Sequence, residues 1–330
     1  MMTLQQVLSN FEQKLATHNQ KLELNSVLHE LAVFTPDIPL PGSGQTYKRW
    51  QILAQIAATH LGLAKCFESH LDAISILKEL NHASRPKGLG AVWAAEGPDC
   101  TLYYEQGYCY GRKAWCSAAK DADYAVMTYR DQDNQSQLVL SKMRESGVQI
   151  DLTGWHATGM QSTQTAKVEF QQVPAELVGK AGDYINRAGF WHGAAGIAAC
   201  WYGAATRLAD ILLAATKIRT SSFQSYYLGQ ISTQLMTTRS LFQKIADQID
   251  NDPERSHEFM IRILRAKVEE TAQTILTLTG EALGARPFCE NPVFSHLAAD
   301  LPVFLRQSHA AFDFEKIAEL TRKEQQLWHL

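Results

Sequence analysis

The chain has 330 residues, of which 45% are hydrophobic and 20% charged, proportions of a globular protein that exclude a largely disordered chain. Its 31 basic and 34 acidic side chains give a net charge of -3, so the composition lacks the basic signature of a dedicated nucleic-acid binder. The length predicts two or three packed units that can bury a core without metals or disulfides.

The six cysteines are scattered and form no C-x-x-C pair, so we expect no metal site and reduced thiols in a cytoplasmic protein. The N-terminus has neither the basic nor the apolar region of a secretory signal. The longest stretch of low charge, Ala188 to Arg207, is interpreted as a buried helix and not as a membrane span. The prediction is a cytoplasmic location with no membrane span.

The first part of the chain, residues 1–86, has a helical pattern. Apolar residues recur at helical spacing from Leu4 to Phe11 and again from Trp50 to Leu80. The segment from Pro36 to Gly44 interrupts the pattern, because its prolines cannot continue a helix. We therefore expect an N-terminal helical domain.

The middle part, residues 87–182, changes to a period near two. Short runs rich in β-branched and aromatic residues, such as 124–129 and 166–170, are separated by glycine, aspartate and asparagine. This pattern predicts an antiparallel β domain.

The last part, residues 183–330, returns to the helical period. Four helices in series predict an antiparallel four-helix bundle. The four segments are 185–218, 224–250, 254–279 and 293–327. The predicted fold class is therefore α+β multidomain, with an N-terminal helical domain, a middle antiparallel β domain and a C-terminal four-helix bundle.

Neither a glycine-rich phosphate loop nor a G-x-S-x-G nucleophile motif occurs, so the function must be sought in other segments. Three of them have a family likeness: AAEGP at 94–98, GRKAWCS at 111–117 followed by ADYAV at 122–126, and GMQSTQT at 159–165 followed by VEFQQVP at 168–174. In their order and spacing they resemble the T-E-P, G-x-K-x-W-I-[TS] and G-M-x-x-[ST] segments of the acyl-CoA dehydrogenase family.

The resemblance implies an acyl-CoA dehydrogenase-like fold with FAD between the β domain and the bundle. It places Trp115 over one face of the flavin and Ser117 at its N5 or O4 edge, roles that suit an indole and a hydroxyl. Ala95, which stands where the family usually has threonine, and Glu96 belong to the same predicted flavin site, and Arg306 is a further candidate for binding a cofactor phosphate or carboxylate.

The resemblance also implies partners. We expect an acyl thioester substrate carried by CoA or an acyl carrier protein, a flavoprotein as electron acceptor, and a homodimer or homotetramer. Two segments, Arg219–Phe223 with Gln230 and Gly280–Pro287, are related to the family's adenosine-side and inter-subunit motifs at altered spacing.

Glu315 is the candidate catalytic base. In one branch of the family a glutamate nine residues after an arginine removes the α-proton while the β-hydride passes to the flavin, and Glu315 is nine residues after Arg306. Gln307 and Lys316 replace the usual aspartate and glycine around this pair. The other branch places its base early in the first bundle helix, where no Asp or Glu occurs from Tyr184 to Ala209.

Two alternatives remain open. Flavin-dependent monooxygenases of the same fold carry a histidine in this region, and His309 has Asp313 four residues later, a spacing that favours an oriented pair on a helix. The second alternative is a catalytically inactive family member that acts as an interaction protein.

Overall fold

The computed structural model describes residues 2–17, 23–97, 99–218 and 221–323. Two compact units result. One contains Met1–Leu40 and Gly62–Phe190, and the other contains Pro41–Leu61 and Trp191–Leu330. The division into three domains at residues 86 and 182 remains a prediction.

The helices and strands follow the predicted order of helical, β-rich and helical regions. In chain order, the helices are α1 (Leu4–Thr17), α2 (Asn25–Ala32), α3 (Thr46–Thr59), α4 (Leu61–Glu79), α5 (Asp183–Asn186), α6 (Ala188–Ile218), α7 (Ser222–Asn251), α8 (Glu258–Leu283), α9 (Arg286–Glu290), α10 (Pro292–Phe304) and α11 (Ala311–Thr321). The strands are β1 (Gly90–Trp93), β2 (Leu102–Glu105), β3 (Tyr108–Cys116), β4 (Tyr124–Arg130), β5 (Ser136–Lys142), β6 (Val148–Asp151) and β7 (Ala166–Val178).

The strands form one sheet in the order β1-β4-β5-β7-β3-β2, with β6 also paired to β7. Strand β7, which has 13 residues, joins the two halves because its first part pairs with β3 and its last part with β5. The sheet is mixed: β1 and β4 run parallel, with Gly90 opposite Tyr124, whereas the other pairs are antiparallel. The parallel pair arises because the β2–β3 hairpin intervenes between β1 and β4.

Strand β4 is buried on both faces, which explains why it is a continuous apolar run without polar alternation. Tyr124 and Val126 pack with α4 residues such as Ile76. The intervening Ala125 and Met127 face the other core of the same unit. The sheet of the first unit is thus held between two apolar layers.

The second unit joins α3 to the C-terminal helices. The Asp250 carboxylate at the end of α7 accepts hydrogen bonds from the backbone N–H of Gly44 at 3.1 Å and from that of Thr46 at 3.0 Å, at the start of α3. Helix α6 approaches α3 closely at Gly203, where an added Cβ would lie 2.1 Å from the Ala54 carbonyl oxygen. Close approach of these two backbones therefore requires glycine at this position.

The predicted fourth bundle helix, residues 293–327, is interrupted. Helix α10 ends at Phe304 and α11 begins only at Ala311, and residues 324–327 lie outside the described part of the chain. Ala310 has φ 36° and ψ −103°, which is not helical, so the chain changes direction before α11. The interruption separates Arg306 from Glu315.

Helix α6 is long and apolar enough to meet the criterion for a membrane span. However, 56% of its most apolar window is buried within the structure, as is common for core helices. The predicted helix at 188–207 is thus present as part of α6.

We predict that stability falls between about pH 6.5 and about pH 4 because of His70. Its Nδ1 accepts the Gly90 N–H at 2.9 Å, so its Nε2–H donates to the Thr35 hydroxyl at 3.0 Å, and burial lowers the His70 pKa from 6.5 to about 4. The unfolded chain binds the proton that the fold excludes, which removes about 3 kcal/mol over this interval.

Urea denaturation at several pH values measures this loss. His70→Asn, which can replace the Nδ1 acceptor with an amide oxygen, should make the acid limb shallower and leave the part due to His60, whose pKa burial also lowers to about 4. His156→Asn at an exposed position should leave the limb unchanged. Equal acid limbs for both variants would contradict the assignment.

Candidate functional site

The three segments that carry the family likeness meet in the first unit. The Trp93 indole N–H at the end of β1 donates to the Ser117 carbonyl at 3.0 Å. The Ala118 N–H, just after β3, donates to the Thr163 carbonyl at 2.8 Å. A Cβ added to Gly97 would lie 2.6 Å from Ala114 Cβ and 3.7 Å from Trp115 Cζ3. The segments at 94–97, 111–117 and 159–165 therefore form one continuous site.

A β-bulge shapes the β3 side of this site. Lys113 pairs with Val168 and Cys116 with Ala166, so two residues of β3 face one residue of β7. Trp115 lies in the bulge with φ 53°, and its side chain is 53% exposed, whereas Cys116 is fully buried. The bulge thus directs an indole to the surface at the end of β3, next to a buried cysteine.

The glycine that begins the GRKAWCS segment has a steric role. Gly111 has φ 95°, and a Cβ there would lie 2.2 Å from the Thr101 carbonyl oxygen. Only glycine fits here, where β3 passes close to the residue that precedes β2.

A chain of buried hydroxyl groups leads inward from Ser117. The Ser117 Oγ lies 3.2 Å from the Thr165 Oγ1, which lies 2.7 Å from the Thr163 Oγ1. The Thr163 hydroxyl donates to the Met160 carbonyl at 2.7 Å. Sequence reasoning assigned a role to Ser117 but missed Thr163 and Thr165. Both threonines lie in the 159–165 segment that resembles the family motif, but nothing in the sequence distinguishes them from the other residues of that segment.

The 160–164 turn has features that suit a bound polar group. Met160 and Gln164 both have positive φ, at 59° and 45°, and such backbone strain is concentrated at functional sites. The Gln164 Oε1 is buried and has no hydrogen-bond partner among the residues that the structure describes. A flavin carries an N–H at its pyrimidine ring, so an unused acceptor beside an indole and a hydroxyl chain is compatible with this group.

The Ala95–Glu96 segment lies at the same site, with both side chains exposed. The Glu96 carboxylate accepts from Arg130 Nε at 2.8 Å. The preceding Ala94 carbonyl accepts the Thr128 hydroxyl at 2.9 Å, and the Thr128 oxygen accepts from Lys113 Nζ at 2.9 Å. These contacts fix the backbone of the segment, while the carboxylate of Glu96 is already engaged by Arg130.

Lys113 is the buried cation of the site. Its side chain is held by Thr128, and burial lowers its pKa from 10.5 to about 8. The sequence analysis included Lys113 in a motif without assigning it a role. In the structure, Lys113 stabilises the backbone that follows β1 through its hydrogen bond to Thr128.

The predicted residues near the C-terminus, Arg306, His309 and Glu315, lie in the second unit. The Arg306 guanidinium donates to the Glu269 carboxylate of α8 at 2.6 Å. Arg306 is the more exposed partner, so the pair lies at the surface. A contact between Arg306 and a cofactor phosphate or carboxylate remains a prediction.

Asp313 is engaged differently from the expected pairing with the His309 ring. The Asp313 carboxylate accepts from the Arg262 guanidinium in a buried ion pair and from the His309 backbone N–H at 3.2 Å. Arg262 also binds Glu258 at 2.8 Å and lies over the Trp191 ring at 4.3 Å. Asp313 therefore positions the backbone of the turn before α11 and leaves the imidazole available.

His309 and Glu315 both have exposed side chains. Within the described ranges, the His309 imidazole contacts the Phe312 ring at 6.5 Å between centroids and has no hydrogen-bond partner. The Glu315 carboxylate likewise has no hydrogen bond to a described residue, and exposure leaves it hydrated. A base of this kind needs a desolvated surrounding, which a bound substrate would have to supply.

Two expectations about ligands can be compared with the described residues. Among them, no group of three or more His, Cys, Asp or Glu side chains is placed to hold a metal ion. Arg219, part of the segment related to the family's inter-subunit motif, lies outside them. Gly280, in the other segment, is still within helix α8, so the turn comes only at Gly284.

Comparisons with known proteins identify the fold through solved structures, whereas sequence comparison identifies no family. No protein-family model matches the chain, and no curated protein matches it. A butyryl-CoA dehydrogenase from Megasphaera elsdenii is 14% identical, with a TM-score of 0.81 over 97% of this chain and 99% of that chain.

Two flavin complexes have the same fold. KijD3, solved with FMN and an amino-keto sugar nucleotide, is 16% identical, with a TM-score of 0.77 over 96% of this chain and 92% of that chain. TdsC from Paenibacillus sp. A11-2, a dibenzothiophene monooxygenase solved with FMN and indole, is 15% identical, with a TM-score of 0.74 over 97% of each chain. The chain therefore has the acyl-CoA dehydrogenase fold, and the predicted fold class is confirmed.

We predict that Asp313→Asn lowers the free energy of unfolding by about 3 kcal/mol, because it leaves the buried Arg262 guanidinium with less compensating charge. Urea denaturation measures the change. Glu319→Gln is the matched control on the same helix, since its pair with Lys316 is exposed and contributes little to stability. Equal losses for the two variants would show that the Arg262–Asp313 pair does not hold the α10–α11 turn.

Proposed function

We propose that this chain is a flavin-dependent oxidoreductase whose flavin binds at the end of β3. The observation that supports this most directly is the meeting of the 94–97, 111–117 and 159–165 segments around an exposed indole, a hydroxyl chain and an unused buried acceptor. The likeness in fold to complexes that contain FMN adds support.

Trp115 and Ser117 are the residues that would hold the flavin. The exposed indole of Trp115 offers one flat face for stacking, and the Ser117 oxygen offers a hydrogen bond at the ring edge. The flavin would supply the two-electron acceptor that the oxidation requires. The sequence favours FAD, whereas the two complexes contain FMN, so the identity of the nucleotide is part of the proposal.

The first candidate reaction is the α,β-oxidation of an acyl thioester. Glu315 would accept the Cα proton, for which a carboxylate must lose its hydration when the substrate binds. The adjacent exposed Phe312 and Phe314 provide apolar surface on the same helix for excluding water. The thioester carrier would be CoA or an acyl carrier protein.

The second candidate is a monooxygenase reaction, and one observation favours it. The His309 imidazole, unlike the Asp313 carboxylate, is not engaged by a described hydrogen bond, so its ring nitrogens are available to a bound substrate. Dibenzothiophene monooxygenase has the same fold.

The remaining partner assignments are part of the same proposal. A homodimer or homotetramer is supported by the exposed apolar side chains of Phe223, Tyr226 and Met236 along α7. A flavoprotein would receive the electrons in the dehydrogenase reaction. We place the protein in the cytoplasm.

The purified protein should bind FAD or FMN and show the visible absorption of a flavin. Trp115→Ala should weaken binding about tenfold, because stacking on an aromatic ring is lost. Tyr103→Ala removes an equally exposed aromatic from the neighbouring strand β2 and should leave the affinity unchanged.

Titration of the apoprotein with each flavin, followed by fluorescence, measures both affinities. Failure of the native protein to take up either flavin would contradict both enzyme hypotheses and favour the inactive interaction protein. Equal affinities for the native protein and Trp115→Ala would place the flavin elsewhere.

Glu315→Gln should abolish anaerobic bleaching of the bound flavin by an acyl-CoA, because the amide cannot accept the Cα proton. Glu319→Gln, one helical turn further along α11, should bleach at the native rate. Stopped-flow absorbance measures the rates with butyryl-CoA as the probe.

Retained bleaching by Glu315→Gln would remove this carboxylate from the mechanism. The second candidate predicts a different pattern: no bleaching by an acyl-CoA in the native protein, and loss of oxygen-dependent product formation from indole in His309→Ala.

A further inference from the structure

The hydroxyl chain from Ser117 to Met160 has a direction that the hydrogen-bond geometry determines. Each hydroxyl group carries one proton, whereas a carbonyl oxygen can only accept. The Thr163 hydroxyl donates its proton to the Met160 carbonyl at 2.7 Å. The same carbonyl accepts the Thr163 backbone N–H at 3.1 Å, which keeps the acceptor in place.

The other two hydroxyl groups must follow the same direction. Because the Thr163 proton is used, the 2.7 Å contact between Thr163 and Thr165 requires Thr165 to donate. Because the Thr165 proton is then used, the 3.2 Å contact between Thr165 and Ser117 requires Ser117 to donate. All three protons point inward, toward Met160.

The backbone around the chain reinforces this arrangement. The Ser117 carbonyl accepts the Trp93 indole N–H, and the next residue, Ala118, donates its N–H to the Thr163 carbonyl. These bonds hold the two ends of the hydroxyl chain at a fixed separation. Ser117, Thr163 and Thr165 are all buried, so water does not readily reorient the protons.

The Ser117 oxygen therefore has its proton directed inward and its lone pairs available to a ligand. Turning the proton outward would give up the 3.2 Å hydrogen bond from Ser117 to Thr165 and leave the Thr165 oxygen without this donor. Ser117 thus favours a ligand that presents an N–H over a ligand that presents a bare nitrogen or a carbonyl.

We propose that Thr165 and Thr163 are positioning residues that make Ser117 a hydrogen-bond acceptor, so that the site binds the reduced form of its flavin more tightly than the oxidised form. This inference rests on the proposed function and specifies the redox state that the site favours. The flavin N5 is an acceptor when oxidised and carries a hydrogen when reduced. By linkage, tighter binding of the reduced form draws electrons from the substrate to the flavin.

The consequence distinguishes these threonines from ordinary packing residues. Thr165→Val keeps the shape of the side chain but removes the inward acceptor, so the Ser117 proton turns toward the ligand. Thr163→Val frees the Thr165 proton to donate to Ser117 and has the same consequence. Thr165→Ser retains the hydroxyl and should behave as the native protein.

The experiment compares the dissociation constants of oxidised and dithionite-reduced FMN and FAD, measured anaerobically for the native protein and the three variants. The ratio of the oxidised to the reduced dissociation constant should fall about fivefold in Thr165→Val and in Thr163→Val, as expected for one hydrogen bond. Thr165→Ser should keep the native ratio. Loss of packing alone would weaken both forms equally and leave the ratio unchanged.

An unchanged ratio in both valine variants that still bind flavin would overturn the inference and leave the proposed function standing. A reduced ratio in Thr165→Ser equal to that in Thr165→Val would also overturn it, because the hydroxyl would then be irrelevant. If the native protein binds neither flavin, the proposed function is wrong and the inference falls with it. Thermal unfolding checks each variant, and two valine variants keep the test decisive should one fail to fold.

Discussion

The bulge in β3 is the constraint on which the candidate site depends. It opposes two β3 residues to one residue of β7, which places Trp115 in a left-handed conformation that costs roughly 1–3 kcal/mol for a residue other than glycine. The surrounding sheet offsets this strain, since β3 and β7 are paired on both sides of the bulge. The result is an exposed indole directly before a buried serine, which a regular strand would not produce.

The buried polar groups of the first unit depend on the same local geometry. Past the bulge, Ser117 reaches the 159–165 segment, where the two threonine hydroxyl groups and the Met160 carbonyl continue the hydrogen bonding inward. Lys113, before the bulge, supports the Ala94 carbonyl through Thr128. A single irregularity in β3 thus links the segments that resemble the acyl-CoA dehydrogenase family.

The order of helices and strands could be predicted from the sequence because two periods, near 3.6 and near two, change at 87 and 183. The parallel pairing of β1 with β4 could not, because strand pairing depends on the path of the β2–β3 hairpin. The break between α10 and α11 was also missed, because residues 305–310 contain neither proline nor glycine to mark a helix end, while Ala310 leaves the helical conformation.

Site prediction had the same limits. Trp115 and Ser117 follow from motif position, but the roles of Thr163 and Thr165 follow only from proton donors and acceptors in three dimensions. Asp313 lies four residues after His309, and the spacing suggested a side-chain pair. Its main partner is Arg262, 51 residues away on α8, which no local pattern reveals.

The central claim is that a flavin binds at the end of β3 with its ring edge at Ser117. A crystal structure of the protein soaked with FMN or FAD tests this most directly. The account predicts density for the ring system stacked on Trp115, with a polar edge atom within about 3.2 Å of the Ser117 oxygen. A flavin bound elsewhere on the chain, or a ring edge that contacts neither residue, would contradict it.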